Sequence, residues 1–177
     1  MGASEPAEGP VLLGGGAVIL VTIGSMFPFD RLVRAMDDWA AWHGGNEDIL
    51  AQIGDGAYEP RHMRWVRRLS RPDFTAALAG ADLVVGHAGM GTVITAGEHG
   101  KAIVIMPRRA ARGEHTNDHQ VDTAGWLGGR KGIFVAEEEG DLGTCIARAR
   151  AGGVVETIGN SAPADFLARI RAFAEGR

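Results

Sequence analysis

The chain has 177 residues, a formal net charge of −4, 45% hydrophobic and 23% charged residues, and one cysteine. This length suits a single domain with a substantial core and leaves no room for a second catalytic domain. The composition is ordinary for a soluble globular protein, and the slight acidity gives no reason to propose nucleic-acid binding. Because Cys145 has no partner for an internal disulfide and no run reaches the ~20 apolar residues of a membrane span, we predict a cytoplasmic protein.

The chain opens with a segment, residues 1–16, that is rich in glycine and proline. We predict a flexible leader there and a single domain over residues 17–177. The domain begins with a continuous apolar run, residues 17–23, which is typical of a buried strand. Gly24 and Ser25 end this run in the manner of a first strand-to-helix turn.

Helical repeats and short apolar runs then alternate along the chain. Helices are predicted over residues 28–43, 74–78 with Ser70 as cap, 92–99, 117–127, 142–151 with Asp141 as cap, and from 161 onward. Strands are predicted over residues 49–53, 62–66, 81–85, 102–106 and 132–135. This alternation predicts an α/β fold, a Rossmann-like, doubly wound parallel sheet in three layers, whose ligands gather at the carboxyl ends of the strands.

The turn from Gly86 to Thr92 is the most informative segment, because it joins a predicted strand to a predicted helix. Its glycines allow a ligand to approach the backbone, and the first helical amides have no partner within the helix. Together with the helix dipole, these amides attract an anion such as a phosphate. His87 adds an imidazole N–H, and Thr92 adds a hydroxyl that caps the helix or contacts the phosphate. Close packing alone also explains many glycine-rich turns, so the turn leaves both interpretations open.

A long polar loop, residues 107–120, follows the fifth predicted strand. Its arginines predict either a solvated charged run or contacts to a diphosphate or a partner protein. His115 and His119 are spaced to bind a metal together with Asp118, but no further well-spaced ligand is present, and we predict no metal site.

These segments resemble the C-terminal, donor-binding half of the GT-B glycosyltransferases of family 28. The resemblance lies in residues 21–33, 87–92 and 107–120, and it spans roughly residues 17–150. The greatest likeness is to small stand-alone subunits of the Alg13-like and PssE-like types, the latter from exopolysaccharide biosynthesis. Three ordered motifs at the family's spacing make the resemblance specific, although none of them does so alone.

The resemblance implies a UDP-sugar as donor substrate and assigns residues to it. His87, with Gly89, Gly91 and Thr92, corresponds to the diphosphate site. The pair His119-Gln120 corresponds to a sugar-binding pair, since glutamine offers both a donor and an acceptor to hydroxyls. The full set of candidate binding residues is Gly24, Ser25, Ser70, His87, Gly89, Met90, Gly91, Thr92, Thr95, Arg108, Arg109, His119 and Gln120.

One residue departs from the family pattern. Many relatives carry a glutamate that binds the ribose hydroxyls where this chain has Thr95, with Glu98 one turn later. A threonine makes one hydrogen bond there, so a weaker hold on the ribose or a different nucleotide is expected. The backbone around Ser70 corresponds to the site of uracil recognition.

The resemblance also implies an inverting hexosyl transfer with no obligatory cofactor. The acceptor would be a lipid-diphosphate-linked saccharide held by a membrane-associated, Alg14-like or PssD-like partner, which would recruit the chain to the inner face of the membrane. Candidates for the base are His115, Glu114 and Asp118, or a residue of the partner. We therefore predict the donor-binding subunit of a two-component glycosyltransferase.

Two other functions follow from the same residues. A non-catalytic sensor or assembly subunit would use the cleft only to bind a nucleotide sugar. A Rossmann dehydrogenase is disfavoured, because Gly24-Ser25 lacks the G-x-G-x-x-G arrangement after the first strand.

Overall fold

A computed structural model describes residues 18–43 and 47–152 of the chain. The strands are Val18–Thr22 (β1), Asp48–Gln52 (β2), Arg64–Val66 (β3), Leu83–His87 (β4), Ala102–Met106 (β5) and Ile133–Val135 (β6). The helices are Asp30–Trp42 (α1), Arg71–Gly80 (α2), Met90–Glu98 (α3), His119–Leu127 (α4) and Leu142–Ala151 (α5). All strand pairs are parallel, in the order β3-β2-β1-β4-β5-β6.

Two apolar cores lie on the two faces of this sheet. In β1, Ile19 and Val21 pack in one core with α1 and α5, whereas Leu20 packs in the other core with α2, α3 and α4. This alternation follows from the pleat, which turns successive side chains to opposite faces. The three-layer α/β, Rossmann-like fold predicted from the sequence is therefore confirmed.

The segment from β4 to α3 corrects two predictions. The strand does not end at residue 85, because Gly86 and His87 continue the pairing with β5, opposite Ile105 and Met106. The helix then begins at residue 90, with Gly89 at its N-cap position and no side-chain cap. Thr92 therefore lies inside the first turn, and the prediction that it caps the helix is wrong. Pairing with a neighbouring strand, which the apolar pattern does not record, sets both boundaries.

The predicted cap of α2 is confirmed, whereas the predicted cap of α5 is confirmed in position only. Ser70 caps α2, with its hydroxyl accepting the backbone N–H of Asp73 at 3.2 Å. Asp141 occupies the N-cap position of α5, but its carboxylate accepts the N–H of Glu138 at 2.9 Å. The predicted leader over 1–16 and the terminal helix from 161 lie outside the described residues. Within residues 18–43 and 47–152, no helix is long and apolar enough to cross a bilayer.

Candidate functional site

The candidate site is a cleft at the carboxyl edge of the sheet, between β1 and β4. In this strand order the connections after β1 and β4 lead to opposite faces of the sheet, and such a switch point opens a crevice where ligands bind. The cleft has a volume of about 420 Å³, within the usual range for a small-molecule site. It is lined by Ile23, Gly24, Ser25, Met26, Phe27, Phe74, His87, Gly89, Gly91, Thr92, Thr95, Arg108, His115, His119 and Gln120.

Two glycines hold the ring of His87 between the turns after β1 and β4. Gly24 has a left-handed φ of 77°, and a Cβ there would lie 2.7 Å from Cε1 of His87. A Cβ on Gly89 would lie 2.1 Å from Nε2 of the same ring. Neither position accepts a side chain without moving the imidazole or the backbone, so both glycines are required for this approach.

His87 is a neutral group at pH 7. Burial lowers the pKa of its imidazole to about 4, and the nearby charge of Arg108 acts in the same direction. The backbone of Thr22 raises the pKa by a smaller amount. It does not form a hydrogen bond with the ring, because Nδ1 of His87 is buried and has no partner among the described residues. His87 therefore contributes hydrogen-bonding capacity to the cleft, and no positive charge.

Arg108 supplies a positive charge to the cleft. Its side chain is 2% exposed, and Nη2 donates to the carbonyls of Ile23 and Phe27, each at 2.7 Å. Burial lowers the pKa of this guanidinium to about 10, against an opposing effect of Glu114, and the group stays cationic at neutral pH. Arg108 thus has two functions: it holds the turn after β1 in place and brings a cation to the wall of the cleft.

Gln120 lines the cleft, but its carbonyl oxygen already has a partner. Oε1 accepts the backbone N–H of Arg108 at 3.2 Å, and the residue is 3% exposed. The expectation that this side chain offers a donor and an acceptor equally to a sugar is therefore corrected: its amide NH₂ is the group left for a ligand.

Five sequence-predicted residues do not line the cleft. They are Ser70, Met90, Arg109, Glu114 and Asp118. Glu114 accepts from Nε and Nη2 of Arg31, at 2.6 and 2.9 Å, and from the N–H of Arg109 at 2.9 Å. These three bonds occupy both carboxylate oxygens of Glu114 within the protein. The carboxylate of Asp118 accepts the N–H of Ala110 at 2.8 Å, which orders the long loop.

The remaining loop arginines do not line the cleft and pair with glutamates instead. Arg109 contacts Glu138 at 3.1 Å, and Arg112 contacts Glu138 and Glu139 at 2.8 and 2.9 Å. These pairs attach the long loop to the connection between β6 and α5. Within the described ranges, no group of three histidine, cysteine or acidic side chains is arranged to hold a metal ion.

Four cleft residues, Ile23, Met26, Phe27 and Phe74, were not predicted as site residues. Met26 is 81% exposed at the rim, and Phe27 contacts His115 edge to face, with ring centroids 4.9 Å apart. For Met26 and Phe27 a signal was available, because large apolar residues directly after an exposed turn mark a surface that contacts a ligand or another part of the molecule.

Comparison with known proteins defines the class. Residues 18–142 match the glycosyltransferase family 28 C-terminal domain. Because this match covers most of the sequence, the chain belongs to that family. No curated protein matches the sequence.

Solved structures of glycosyltransferases share the fold. The glycosyltransferase SnogD from Streptomyces nogalater is 22% identical, with a TM-score of 0.51, over 96% of this chain and 48% of its own. Os79 from O. sativa in complex with UDP is 14% identical, with a TM-score of 0.58, over 77% of this chain and 32% of its own. ALG13, solved by NMR, is 13% identical, with a TM-score of 0.52, over 87% of this chain and 94% of its own. The chain thus spans about half or less of the first two proteins and nearly all of the third.

Proposed function

We propose that this chain binds a UDP-sugar in the cleft between β1 and β4 and acts as the donor-binding subunit of an inverting hexosyltransferase. The observation that carries this proposal is that the first turn of α3, which has no side-chain cap, the neutral His87 ring and the buried cation of Arg108 meet at one crevice. Helix amides and a guanidinium both bind anionic oxygens. A diphosphate fits this set of donors better than a neutral ligand does.

The same donors would assist the transfer reaction. As the glycosyl group leaves, negative charge grows on the diphosphate, and preorganised amides and Arg108 would stabilise that charge. Thr95 lies in the cleft, with its hydroxyl donating to the carbonyl of Gly91 at 2.8 Å, where it would form at most one further contact to the ribose.

A second chain would supply the acceptor site. In support, ALG13, which is similar in fold, is covered over 94% of its own length by this chain. We propose an Alg14-like or PssD-like partner that holds a lipid-linked saccharide, in exopolysaccharide or glycolipid synthesis at the inner face of the membrane. The base would come from this partner.

Nucleotide binding is tested by thermal unfolding with and without UDP. At 100 times its Kd, a ligand adds about 2.7 kcal/mol to the free energy of unfolding, which raises the Tm by roughly 5–10 °C in a domain of this size. Gly89→Ala should abolish this shift, because its Cβ collides with Nε2 of His87.

Gly125→Ala is the matched control, since a Cβ there meets nothing within 4 Å and the residue lies within α4. The double variant His87→Ala/Gly89→Ala removes the collision and separates a distorted turn from a lost ligand contact. A wild-type Tm unchanged by UDP, or an equal shift in Gly89→Ala, would contradict the proposal. Transfer activity by the purified chain alone would contradict the need for a second subunit.

A further inference from the structure

His115 and His119 lie side by side in the cleft, and their ring nitrogens have opposite hydrogen-bond partners. The two rings meet edge to face, with centroids 4.4 Å apart. A neutral imidazole carries a proton on one nitrogen and a lone pair on the other, so the partner of Nδ1 decides what Nε2 offers to a ligand.

Backbone amides set the state of His115. Its Nδ1 accepts the N–H of Thr116 at 2.9 Å and, more weakly, the N–H of Asn117 at 3.4 Å. Facing two donors, Nδ1 keeps its lone pair, and the proton of the neutral ring lies on Nε2. Burial, together with His119 and Arg108, lowers the pKa of His115 and favours this neutral state. His115 therefore presents an N–H donor.

The side chain of Asn117 sets the state of His119. Its Oδ1 accepts the backbone N–H of His119 at 3.3 Å, which identifies this atom as the oxygen of the amide. The same oxygen is hydrogen-bonded to Nδ1 of His119. Because a carbonyl oxygen can only accept, Nδ1 carries the proton, and the lone pair lies on Nε2. In the part of the chain that the structure describes, no group donates to that nitrogen.

We propose that Asn117 is a positioning residue that fixes His119 as a hydrogen-bond acceptor beside the donor His115, so that the pair binds one hydroxyl of the sugar. This inference rests on the proposed function, since the hydroxyl belongs to the sugar of a bound UDP-sugar. A hydroxyl can donate to His119 and accept from His115 at once.

The tautomers are measured without nucleotide, by long-range ¹H–¹⁵N correlation spectra of the full chain. In the wild type we expect Nδ1–H for His119 and Nε2–H for His115. Asn117→Ala should move His119 to the Nε2–H form that free imidazoles prefer in water, whereas Asn117→Asp keeps an acceptor oxygen and should keep Nδ1–H. Thr116→Ala removes the hydroxyl that lies 3.3 Å from Nδ1 of His115 but retains the Thr116 amide, and both rings should keep their wild-type tautomers. An Nε2–H ring for His119 in the wild type, or an unchanged ring in Asn117→Ala, overturns the proposal.

Sugar recognition is measured by calorimetry with UDP, UDP-glucose, UDP-N-acetylglucosamine and UDP-glucuronate. Asn117→Ala should weaken the tightest neutral UDP-sugar by about three- to tenfold, the range of one hydrogen bond, and leave the affinity for UDP unchanged. Equal affinities of the wild type and Asn117→Ala for that UDP-sugar overturn the assignment of the pair to a sugar hydroxyl. A wild type that binds no UDP contradicts the proposed function instead, because the tautomer measurement does not depend on it.

Discussion

Two buried charges, Asp37 in α1 and Arg108 after β5, show how a structural ion differs from one available to a ligand. Their side chains are 1% and 2% exposed. The carboxylate of Asp37 accepts from the hydroxyl of Tyr58 at 2.7 Å and from the N–H groups of Arg61 and His62, at 3.0 and 2.7 Å. Burial alone would raise the pKa of Asp37, but these bonds outweigh it and hold the pKa below its usual value. Nε of Arg108, by contrast, is buried with no partner among the described residues.

The difference teaches that cavity volume is a poor guide to function in this molecule. Asp37 borders a cavity of about 560 Å³, larger than the cleft of about 420 Å³. Its hydrogen bonds close the loop after β2 and leave the carboxylate nothing to offer a ligand. The smaller cleft retains a cation, free helix amides and imidazole nitrogens, so it has the capacity to bind. Three predictions test this contrast.

Asp37→Ala should have the largest effect, lowering the free energy of unfolding by about 3–5 kcal/mol, because it leaves buried donors without an acceptor. UDP affinity should be unchanged in the protein that remains folded. Urea denaturation measures the first quantity and calorimetry the second. Asp38→Ala, an exposed neighbour in the same helix, should stay within about 0.5 kcal/mol of the wild type. A loss of less than about 1 kcal/mol, the value of one hydrogen bond, would refute the structural role assigned to Asp37.

His87 should make stability depend on pH. The unfolded imidazole takes up a proton below its ordinary pKa of 6.5, whereas the folded one stays neutral down to about 4. Protonation therefore favours the unfolded chain, and the free energy of unfolding should fall by up to about 3 kcal/mol as the pH decreases from 6.5 to 4. His87→Asn should lack this component. Denaturation of both proteins across that pH range measures the difference, and parallel curves would show that the ring is not held neutral.

Arg108→Met should weaken UDP binding by roughly 10- to 100-fold, the value of a charge-assisted hydrogen bond of about 1.5–3 kcal/mol. Arg109→Met is the matched control, since Arg109 is paired with Glu138 at 3.1 Å and does not line the cleft. Calorimetry of the two variants compares adjacent arginines of identical chemistry. If the two variants lose UDP affinity equally, the loss comes from the change in net charge, and the distinction between Arg108 as a ligand-facing cation and Arg109 as a structural one is wrong.

Most of the architecture was predictable because it follows from local pattern. The apolar runs predict all strands of the described sheet to within a few residues, since a strand covered on both faces must be apolar throughout. The glycine turn at 86–92 was located in the same way. The boundary between β4 and α3 was not, because pairing of Gly86 and His87 with β5 depends on a neighbour distant in sequence.

Side-chain partners account for the rest of what the sequence could not predict. Arg108 and Arg109 are adjacent and chemically identical, yet one lies in the cleft and the other pairs with Glu137 and Glu138. Glu114 resembles a candidate base until Arg31, 83 residues away in sequence, is seen to hold it. Such pairs form only when the long loop packs against α1 and the start of α5.

Sequence alone determined the order of elements, the layered sheet and the position of the glycine-rich turn, because periodicity and glycine placement act within a few residues. Tertiary structure decided which charges are satisfied, that Oε1 of Gln120 is bonded to the N–H of Arg108, and that Nδ1 meets amide donors in His115 but an amide oxygen in His119. Those properties depend on which donor meets which acceptor in space. A hydrogen bond requires its two atoms within about 3 Å, and no spacing along the chain specifies that distance.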